Sequence, residues 1–333
     1  MMPEYLVTGA TGFVGRRLVE RLLAMGAGVR LLVRRPEKLP PHLSSACEVI
    51  VGDLGNPASL DAAVAGVGVV FHCAANVRTW DKWSAYETAN IRGVENLARA
   101  VVRCNPGLHR FIHLSSVDVY GFPAAPVDES AILDKVGFHY GESKRQGELC
   151  LRRIAQQHGI PYTILRPTNI IGPRSPFVER IGNELMSGLM LTVDGGSAHA
   201  GLLQVDNLID YMYWAAFSNM AANETFNVRD RCDVSWGSFI GDLKALISGR
   251  GRVIDLPFIV ADAAAHALAM PYRVLPLTRE PILHPQIVRI FGRTCGHSAR
   301  KLWSISNMEA RVSYEQAMAE SAAWFLDDKV RGQ

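Results

Sequence analysis

Short apolar segments alternate with helical segments along the first half of the chain, and this alternation restricts the fold more than any other feature. Each apolar segment has the length of a buried strand, and strands that alternate with helices are typical of βαβ units around a parallel sheet. The expected strands are Tyr5–Val7, Val29–Val33, Glu48–Val51, Val69–His72, Phe111–Leu114 and Tyr162–Leu165. The sequence therefore predicts an α/β fold built on a doubly wound parallel sheet.

Helical periodicity fills the gaps between these strands. Apolar residues recur at four-residue spacing in Phe13–Met25, and longer helices are expected at Trp83–Val102 and Tyr140–Gln157. Beyond about residue 173 the alternation weakens into helices and isolated strands. We therefore expect a first domain over residues 1–173 and a smaller C-terminal cap over 174–333, with some segments of the cap returning to the core of the first domain.

Composition excludes several classes of protein. Of the 333 residues, 48% are hydrophobic and 20% are charged, so the chain can bury a large core and is not intrinsically disordered. Thirty-five Lys and Arg residues against 32 Asp and Glu residues leave a formal net charge of +3. That surplus is too small to indicate a nucleic-acid partner.

The cysteines and the longest apolar stretch point to a cytoplasmic protein. The six cysteines are scattered, with no C-x-x-C pair and no zinc-like spacing, so we expect reduced thiols and no metal site. The N-terminal residues have no basic start or cleavage site of a signal peptide. Polar residues and a proline interrupt the apolar stretch Leu256–Leu275, so no transmembrane segment is expected.

A glycine-rich segment, Thr8–Gly15, joins the first strand to the first helix. Glycines in this position permit a tight turn and let the backbone approach a pyrophosphate, which then lies at the positive N-terminus of the helix. The spacing G-x-x-G-x-x-G is a weak signal alone, since a glycine-rich turn need not bind a ligand. The strand before it and the amphipathic helix after it supply the context that a Rossmann-type dinucleotide site requires.

The residues after the second strand bear on the choice of cofactor. An acidic residue there would accept hydrogen bonds from a ribose diol, but this chain has Arg34 and Arg35. A guanidinium binds a 2′-phosphate bidentately, which favours NADP(H) over NAD(H), unless the two arginines are only a solvated surface pair. Asp53, after the third strand, can accept a hydrogen bond from an adenine amino group or can cap a turn.

Tyr140 and Lys144 stand four residues apart on a predicted helix and therefore share one face. A nearby cation stabilises a phenolate, so we expect Lys144 to lower the pKa of Tyr140 from its usual value near 10. A decrease of about two to three units corresponds to about 3–4 kcal/mol and makes the phenol an acid/base near neutral pH. Ser115 and Ser116 follow the fifth strand at the carboxyl edge of the sheet, where ligands of such sheets bind.

These pieces together resemble the extended short-chain dehydrogenase/reductase superfamily, and the resemblance covers essentially the whole chain. Any one of its motifs is weak, but eight occur in the order typical of the superfamily. They are Thr8–Gly15, Asp53-Leu54, Phe71–Ala75, Asn90–Gly93, Ser115–Gly121, Tyr140-x-x-x-Lys144, Leu165-Arg166-Pro167 through Gly172-Pro173, and Val205-Asp206-Asn207.

The resemblance implies roles for individual residues. Tyr140 is implied to be the general acid/base, Lys144 to bind the nicotinamide ribose, and Ser116, four residues before Tyr120, to bind the reacting oxygen. The implied cofactor-binding residues are Gly9, Thr11, Gly12, Phe13, Val14, Arg34, Arg35, Asp53, Leu54, Cys73, Ala74, Ala75, Asn90, Tyr140, Lys144 and Pro167. The implied substrate-binding residues are Trp80, Val117, Asp118 and Asn169. For Asn90, a structural tie between a helix and the site is an equally good interpretation.

Departures from the superfamily's patterns reduce the number of reactions that fit this chain. Nucleotide-sugar dehydratases resemble this chain but have Thr-Asp-Glu where it has Ser116-Val117-Asp118, and a valine cannot donate a proton, so a dehydratase is disfavoured. Ala200 stands where nucleotide-sugar enzymes usually have an arginine that helps bind a diphosphate, unless Arg174, Arg180 or Arg229 substitutes for it. The pattern is closer to the 3β-hydroxysteroid dehydrogenase and dihydroflavonol reductase branch, which implies an NADP(H)-dependent interconversion of ketone and secondary alcohol.

Alternatives remain open at this point. A nucleotide-sugar epimerase or 4-ketoreductase is the second enzyme hypothesis, and a catalytically idle NADP sensor is a third. Apolar residues of the cap favour an apolar substrate, but helical spacing of this kind is as typical of a core; they are Phe177, Ile181, Leu185, Met186, Leu189, Met190 and Leu191. Met270, Tyr272 and Val274 can form a lid or touch a membrane. The helices expected at Trp83–Val102 and Tyr140–Gln157 correspond to those that pair in many relatives, so we expect a homodimer.

Overall fold

Eleven strands and thirteen α-helices are assigned in the computed structural model, which describes residues 4–275 and 280–331. The strands are β1 (Tyr5–Thr8), β2 (Val29–Val33), β3 (Glu48–Val51), β4 (Val69–His72), β5 (Arg110–Leu114), β6 (Tyr162–Pro167), β7 (Asn169–Ile171), β8 (Leu189–Val193), β9 (Leu202–Gln204), β10 (Glu224–Val228) and β11 (Arg252–Leu256). The α-helices are α1 (Phe13–Ala24), α2 (Pro41–Ala46), α3 (Ala58–Val64), α4 (Trp83–Tyr86), α5 (Gly93–Cys104), α6 (His139–His158), α7 (Pro176–Ser187), α8 (Val205–Phe217), α9 (Trp236–Leu246), α10 (Phe258–Val274), α11 (Pro285–Gly292), α12 (Arg300–Ser306) and α13 (Tyr314–Arg331).

The central sheet has seven strands in the order β10-β6-β5-β4-β1-β2-β3. All pairs from β6 to β3 are parallel, which is the strand order of a doubly wound dinucleotide-binding sheet. Successive strands are added on one side of β1 up to β3 and on the other side from β4 onward, so ligands are expected at the carboxyl ends of β1 and β4, where this order switches. The predicted α/β fold with a doubly wound parallel sheet is confirmed.

Burial explains why these short segments become central strands. Every residue of β1, β2 and β4 is buried, because helices cover both faces of a parallel sheet. The helices α3, α5 and α6 lie side by side on one face, and their apolar residues pack with those of the strands. Leu97, Val101 and Leu151 are fully buried there.

The chain divides into two compact units that alternate along the sequence. The first unit contains residues 1–119, 133–166 and 209–226, and the second contains 120–132, 167–208 and 227–333. The first unit holds most of the seven-stranded sheet. The assignment of the two parts to cofactor and to substrate binding, with a boundary at residue 173, stays a prediction.

The second unit is built around aromatic side chains. Trp236, Phe239, Phe291 and Phe325 lie in its core, together with residues of α7 and α10. Two small parallel sheets, β7–β9 and β8–β11, flank that core. Within residues 4–275 and 280–331, no helix has the length and apolarity needed to cross a membrane.

Most of the expected elements are present, with two informative differences. The helix expected over Trp83–Val102 is divided into α4, a π-helical segment at Glu87–Arg92, and α5. The edge strand β10 was not predicted, because its sequence Glu-Thr-Phe-Asn-Val is not a continuous apolar run. A π-helical segment is a wider turn, with hydrogen bonds between residues i and i+5, and such turns are frequent near functional sites.

The apolar residues expected in the cap belong largely to the core of the second unit. Ile181, Leu185 and Met190 are at most 2% exposed and pack with the aromatic cluster. Phe177, Met186 and Leu191 are partly buried against the same core, whereas Leu189 is exposed. These residues therefore do not indicate the polarity of a substrate.

Candidate active site

The turn after β1 depends on glycine for two reasons. Gly9 has φ +77°, a conformation that side chains other than glycine rarely adopt, and a Cβ added there would lie 2.7 Å from the Ala74 nitrogen. The Gly12 amide donates a hydrogen bond to the Gly9 carbonyl oxygen at 2.9 Å and closes the turn. Gly9 thus allows the backbone that follows β4 to pass directly beside the turn.

The N-terminus of α1 has the properties of an anion site. Gly12 is the N-cap and offers no side chain to the first amide groups, and the first turn contains no acidic residue. The amide dipoles at this helix end are therefore not neutralised by the chain itself. Thr11 is exposed, and Phe13 and Val14 are half-buried beside it. These residues fit the pyrophosphate of a dinucleotide cofactor.

Arg34 and Asp53 form an exposed ion pair at the ends of β2 and β3. The Arg34 Nε atom lies 3.5 Å from Asp53 Oδ2, and the two side chains are 70% and 46% exposed. Asp53 Oδ1 also accepts a hydrogen bond from the Gly55 amide at 2.7 Å, so the carboxylate caps this turn. Arg35 is exposed, and Leu54 packs against Gly93 at the start of α5.

A threonine side chain holds the segment after β4 in place. Thr8 Oγ1 accepts a hydrogen bond from the Ala74 amide at 3.2 Å and lies 2.8 Å from His72 Nδ1. The Cys73 amide donates to the Thr8 carbonyl oxygen at 3.3 Å. Cys73, Ala74 and Ala75 are half-buried. The structure therefore brings these predicted cofactor residues next to the Gly9 turn.

Tyr140 lies in the first turn of α6, and Ser116 and Asp118 surround its phenol. The Ser116 hydroxyl hydrogen-bonds to the phenol, and the Asp118 carboxylate is close enough to act on its charge. Tyr86 packs nearby, with its ring centroid 6.5 Å from that of Tyr140. Two of the residues expected from the sequence, Ser116 and Tyr140, thus meet at the carboxyl end of β5.

The expected decrease in the pKa of Tyr140 is wrong for this structure. Burial raises the pKa of Tyr140 above its usual value, the negative charge of Asp118 raises it further, and the hydrogen bond from Ser116 lowers it only in part. Burial also raises the pKa of Asp118 to about 7. The spacing of Tyr140 and Lys144 identified a shared helix face, but it did not include the cost of burying a charged phenolate.

Lys144 is turned toward the end of β5. Its side chain is 3% exposed, and Nζ donates a hydrogen bond to the Leu114 carbonyl oxygen at 2.6 Å. Burial lowers the pKa of Lys144 to about 8, although Glu148 and Cys73 oppose that change. The ammonium in turn moderates the effect of burial on Cys73, whose pKa rises to about 12. Lys144 therefore lies beside the segment that follows β4.

Asn90 connects three parts of the first unit. Its Oδ1 accepts a hydrogen bond from the Asn76 amide at 2.7 Å, and its Nδ2 donates to the Asn76 carbonyl and to Ser143 Oγ, both at 2.9 Å. Asn90 lies in the π-helical segment, so this segment is tied to the loop after β4 and to α6. The Asn90 side chain therefore makes its hydrogen bonds to other residues of the protein.

The residues expected to touch substrate are distributed over both units. Trp80 is half-buried in the loop after β4, Val117 is buried, and Asp118 is half-buried beside Tyr140. Asn169 belongs to the second unit, where Nδ2 donates to the Ala200 carbonyl oxygen at 2.6 Å. Pro167, expected near the nicotinamide, is also assigned to the second unit.

A buried ionic network behind Lys144 was not anticipated. Arg166 on β6 binds Glu148 on α6 through two hydrogen bonds of 2.8 and 2.6 Å, and both side chains are at most 2% exposed. His72 and His113 stack nearby with centroids 5.4 Å apart, and burial lowers the pKa of both imidazoles. In the sequence, the one indication of this network was the position of Glu148, which follows Lys144 by one helical turn.

No group of three or more His, Cys, Asp or Glu side chains could hold a metal in the part of the chain that the structure describes.

Comparison with known proteins identifies the family. Residues 5–228 match the model of the NAD dependent epimerase/dehydratase family. The chain belongs to this family. The match covers the whole glycine turn, Ser116, Tyr140 and Lys144, and it confirms the resemblance to extended short-chain dehydrogenases/reductases. Members of the family are NAD(P)-dependent oxidoreductases and epimerases that act on small molecules, and this chain is an enzyme of that type.

Relatives of this chain are named for different reactions. A 4-hydroxy-2-methyl-3-oxo-4-farnesyl-3,4-dihydroquinoline-1-oxide ketoreductase of Stigmatella aurantiaca is 29% identical over 94% of this chain and 93% of that protein. An N-acetyl-alpha-D-glucosaminyl-diphospho-ditrans,octacis-undecaprenol 4-epimerase of Escherichia coli O157:H7 is 28% identical over 78% of this chain and 76% of that protein. The structure of MoeE5 in complex with UDP-glucose and NAD has the same fold, with TM-score 0.77 at 21% identity, covering 98% of this chain and 99% of that one.

Proposed function

We propose that the protein is an NADP(H)-dependent ketoreductase that interconverts a ketone and a secondary alcohol on a fairly apolar substrate. The observation that carries this proposal is the arrangement of Ser116, Tyr140 and Lys144 at the carboxyl end of β5. A hydroxyl and a phenol meet there, and an ammonium lies next to the segment after β4. A bound nicotinamide cofactor supplies the hydride.

The protonation state of Tyr140 supports reduction as the favoured direction. Because burial and Asp118 raise its pKa, Tyr140 keeps its proton throughout the neutral range. A protonated phenol is ready to donate to the oxygen of a ketone, and the Ser116 hydroxyl can orient that oxygen. In the reverse direction the same phenol must first lose its proton. Lys144 is placed to bind the ribose next to the nicotinamide.

Arg34 supports NADP(H) rather than NAD(H) as the cofactor. Its guanidinium is 70% exposed at the end of β2, where the adenosine ribose of a dinucleotide lies in folds of this type. The paired Asp53 leaves most of that guanidinium open, and a guanidinium suits a 2′-phosphate. Gly9, Gly12 and the uncapped N-terminus of α1 are proposed to hold the pyrophosphate.

Two features support an apolar substrate. Ala200 occupies the position of the arginine that helps nucleotide-sugar enzymes hold a diphosphate, and Val117 next to Ser116 is apolar. The ketoreductase relative acts, by its name, on a farnesylated quinoline. The alternative is a nucleotide-sugar epimerase or 4-ketoreductase, which the undecaprenol-linked 4-epimerase relative favours.

The proposed role of Tyr140 predicts the behaviour of Tyr140→Phe. Turnover of an apolar ketone with NADPH should fall by about a hundredfold or more, because the proton donor is lost, whereas NADPH affinity should change little. The assay follows NADPH absorbance with a panel containing a steroidal 3-ketone, a flavanonol and a β-keto acid. Tyr213→Phe, in α8, is the matched control. Full turnover in Tyr140→Phe would exclude the mechanism, and epimerisation of UDP-sugars without ketone reduction would select the alternative.

We also propose that the enzyme acts in the cytoplasm as a homodimer. All six cysteines are free, which is consistent with a reducing compartment.

A further inference from the structure

The side of α6 that contacts β5 and β6 carries a line of charged residues, two of which are buried. Lys144, Glu148 and Arg152 recur at intervals of four residues, so their side chains share one face of the helix. Lys144 and Glu148 are 3% and 0% exposed, and the Arg152 side chain is 29% exposed. A charge that loses its hydration needs a partner of opposite charge. The surroundings of Lys144 and Glu148 therefore determine whether both can stay ionised.

Arg166 on β6 holds Glu148 as a carboxylate. Its Nε and Nη2 atoms donate hydrogen bonds to the two oxygens of Glu148 at 2.8 and 2.6 Å. This bidentate geometry uses both oxygens as acceptors, and the ionised carboxyl group is the form that offers both. Arg152 Nη2 lies 3.6 Å from Glu148 Oε2 and adds a second cation. Glu148 is therefore a fixed negative charge inside the first unit.

Lys144 has no carboxylate in direct contact. Its Nζ atom donates to the Leu114 carbonyl oxygen, and it forms no direct ion pair in the described part of the chain. The titratable groups that act on it are Glu148 on its own helix, Cys73 after β4, His72 on β4 and His113 on β5. Burial lowers the pKa of both imidazoles and raises that of the Cys73 thiol. Of these four groups, Glu148 is therefore the one that is charged at neutral pH.

The position of the two histidines in the sheet explains why they are neutral. His72 and His113 are register partners on neighbouring strands, and Thr8 on β1 is the register partner of His72. All three residues are 1% exposed. A positive charge on either imidazole would lie beside the other ring and near Lys144, in an interior that screens charge poorly. The row is polar but uncharged, so it does not compensate the charge of Lys144.

We propose that Glu148, held in place by Arg166, is a positioning residue that keeps Lys144 an ammonium inside the first unit. The carboxylate stands one helical turn from Lys144 and offsets part of the cost of burying that cation. The inference rests on the proposed function in one respect, which is that Lys144 binds the nicotinamide ribose as a cation. An ion pair that only tied α6 to β6 would leave the charge of Lys144 unaffected.

The test measures the charge of Lys144 directly by NMR. Lysine labelled with carbon-13 at Cε reports the ionisation of each ammonium group through its chemical shift, and Lys144→Met identifies the signal of Lys144. In the unaltered protein we expect a titration midpoint near pH 8, since burial lowers the pKa of Lys144 to about 8. In Glu148→Gln/Arg166→Met the midpoint should fall by about one pH unit or more, because the opposite charge is lost.

Both partners are replaced because removal of Glu148 alone would leave a buried guanidinium unpaired. Uncharged residues of similar volume often replace a buried ion pair without loss of the fold, and a cooperative melting transition verifies this. Loss of the Arg166 charge by itself would raise the pKa of Lys144, so a lower midpoint is due to the lost carboxylate.

Two control variants keep the carboxylate at position 148. Arg152→Gln also removes a charge that contacts Glu148, but this charge is a cation, so the midpoint of Lys144 should not fall. Glu148→Asp keeps the negative charge, and its midpoint should lie closer to that of the unaltered protein than to that of the double variant. These titrations need no substrate, so their results do not depend on which ketone is reduced.

NADPH affinity between pH 6.5 and 9.5 connects the charge of Lys144 to the proposed function. The affinity should decrease as Lys144 loses its proton, and in the double variant this decrease should begin about one pH unit lower. An unchanged midpoint in the double variant, or an equal fall in Arg152→Gln or Glu148→Asp, would overturn the proposal. A lower midpoint with an unchanged NADPH profile would support the role of Glu148 and refute ribose binding by Lys144.

Discussion

Single residues decide the chemistry of this site, and Asp118 illustrates how. Its carboxyl group lies beside Tyr140 and raises the pKa of that phenol, while burial raises its own pKa to about 7. Two acids thus share one partly desolvated region, and the ionised Asp118 opposes the ionisation of Tyr140. Asp118 occupies a position at which a dehydratase has glutamate, yet the neighbouring Val117 removes the second acid that dehydration needs.

This coupling predicts the pH dependence of Asp118→Asn. In alcohol oxidation Tyr140 must be a phenolate, and above pH 7 the ionised Asp118 opposes that charge. Removing the carboxylate lowers the pKa of Tyr140, so the alkaline rise of the oxidation rate should move to lower pH. The measurement is kcat/KM for a secondary alcohol between pH 6 and 10. Asp61→Asn, which alters an exposed pair with Arg103, is the control, and an unchanged profile in Asp118→Asn would contradict the coupling.

Arg34 predicts a change in cofactor preference. In Arg34→Ala the affinity for NADPH should fall by about tenfold or more, because a charged hydrogen bond to the 2′-phosphate is lost. NADH affinity should stay the same, since that cofactor has no 2′-phosphate. Fluorescence titration with both cofactors measures this difference. Arg99→Ala removes a comparably exposed arginine from α5 and should affect neither cofactor. Equal weakening of both cofactors in Arg34→Ala would refute the phosphate assignment.

At the scale of elements, the helix α6 combines the proposed catalytic groups with structural ones within its first three turns. Tyr140 and Lys144 face the carboxyl ends of the strands, whereas Glu142 holds the loop before the helix by accepting a hydrogen bond from the Val136 amide at 2.9 Å. Glu142 also binds Arg145 and Gln146. These contacts fix the start of α6 and therefore the position of Tyr140.

Glu142 predicts a pH-dependent stability difference. Burial opposes its ionisation, but hydrogen bonds from Arg145, Gln146 and Val136 prevail and lower its pKa to about 2. A carboxylate with a lowered pKa stabilises the folded state above the unfolded pKa of about 4.5, and this contribution is lost as the pH falls toward 2. Glu142→Gln should therefore melt at a lower temperature than the unaltered protein at pH 7, and the gap should narrow toward pH 3.

The control for this measurement is Glu95→Gln, which removes an exposed pair with Arg99 on α5. Exposed pairs contribute little to stability, so this variant should melt within about a degree of the unaltered protein at pH 7. A gap between Glu142→Gln and the unaltered protein that stays constant from pH 7 to pH 3 would show that ionisation of Glu142 is not its source.

The elements themselves were largely predictable from sequence, and the exceptions have physical reasons. The strands β2, β3 and β4 have the bounds predicted from sequence. For β2 and β4 the reason is that central parallel strands, buried on both faces, are largely apolar, whereas β3 is a partly exposed edge strand. The strand β10 and the π-helical segment were missed, since one is stabilised by pairing at the sheet edge and the other by side-chain contacts of Asn90. Neither kind of contact leaves a local pattern in the sequence.

The proximity of Ser116 to Tyr140 was predictable from sequence, but the electrostatics around Tyr140 were not. Spacing placed Tyr140 and Lys144 on one helix face and Ser116 at the end of β5. The ionisation of Tyr140 depends instead on how much water surrounds it and on Asp118, which are properties of the packed structure. The pair of Glu148 and Arg166 is likewise formed by residues 18 positions apart in sequence, on α6 and β6.

At the scale of the whole molecule, the path of the chain through the two compact units determines whether they unfold separately or together. Residues alternate between the two compact units in six segments, and single elements span the division: α8 begins in the second unit and ends in the first, and β10 begins in the first and ends in the second. One unit cannot unfold completely without removing part of these elements from the other. We therefore expect the units to unfold together.

This expectation predicts one calorimetric transition that moves as a whole when cofactor binds. At a concentration one hundred times its dissociation constant, NADPH should stabilise the folded state by about 2.7 kcal/mol. Although the glycine turn proposed to bind it belongs to the first unit, the single transition should shift upward without splitting, because covalently shared elements couple the units. Two resolved transitions, of which NADPH moves only one, would show that the units are thermodynamically independent. In Arg34→Ala the transition should respond to NADH and NADPH alike, which separates the coupling from the cofactor preference.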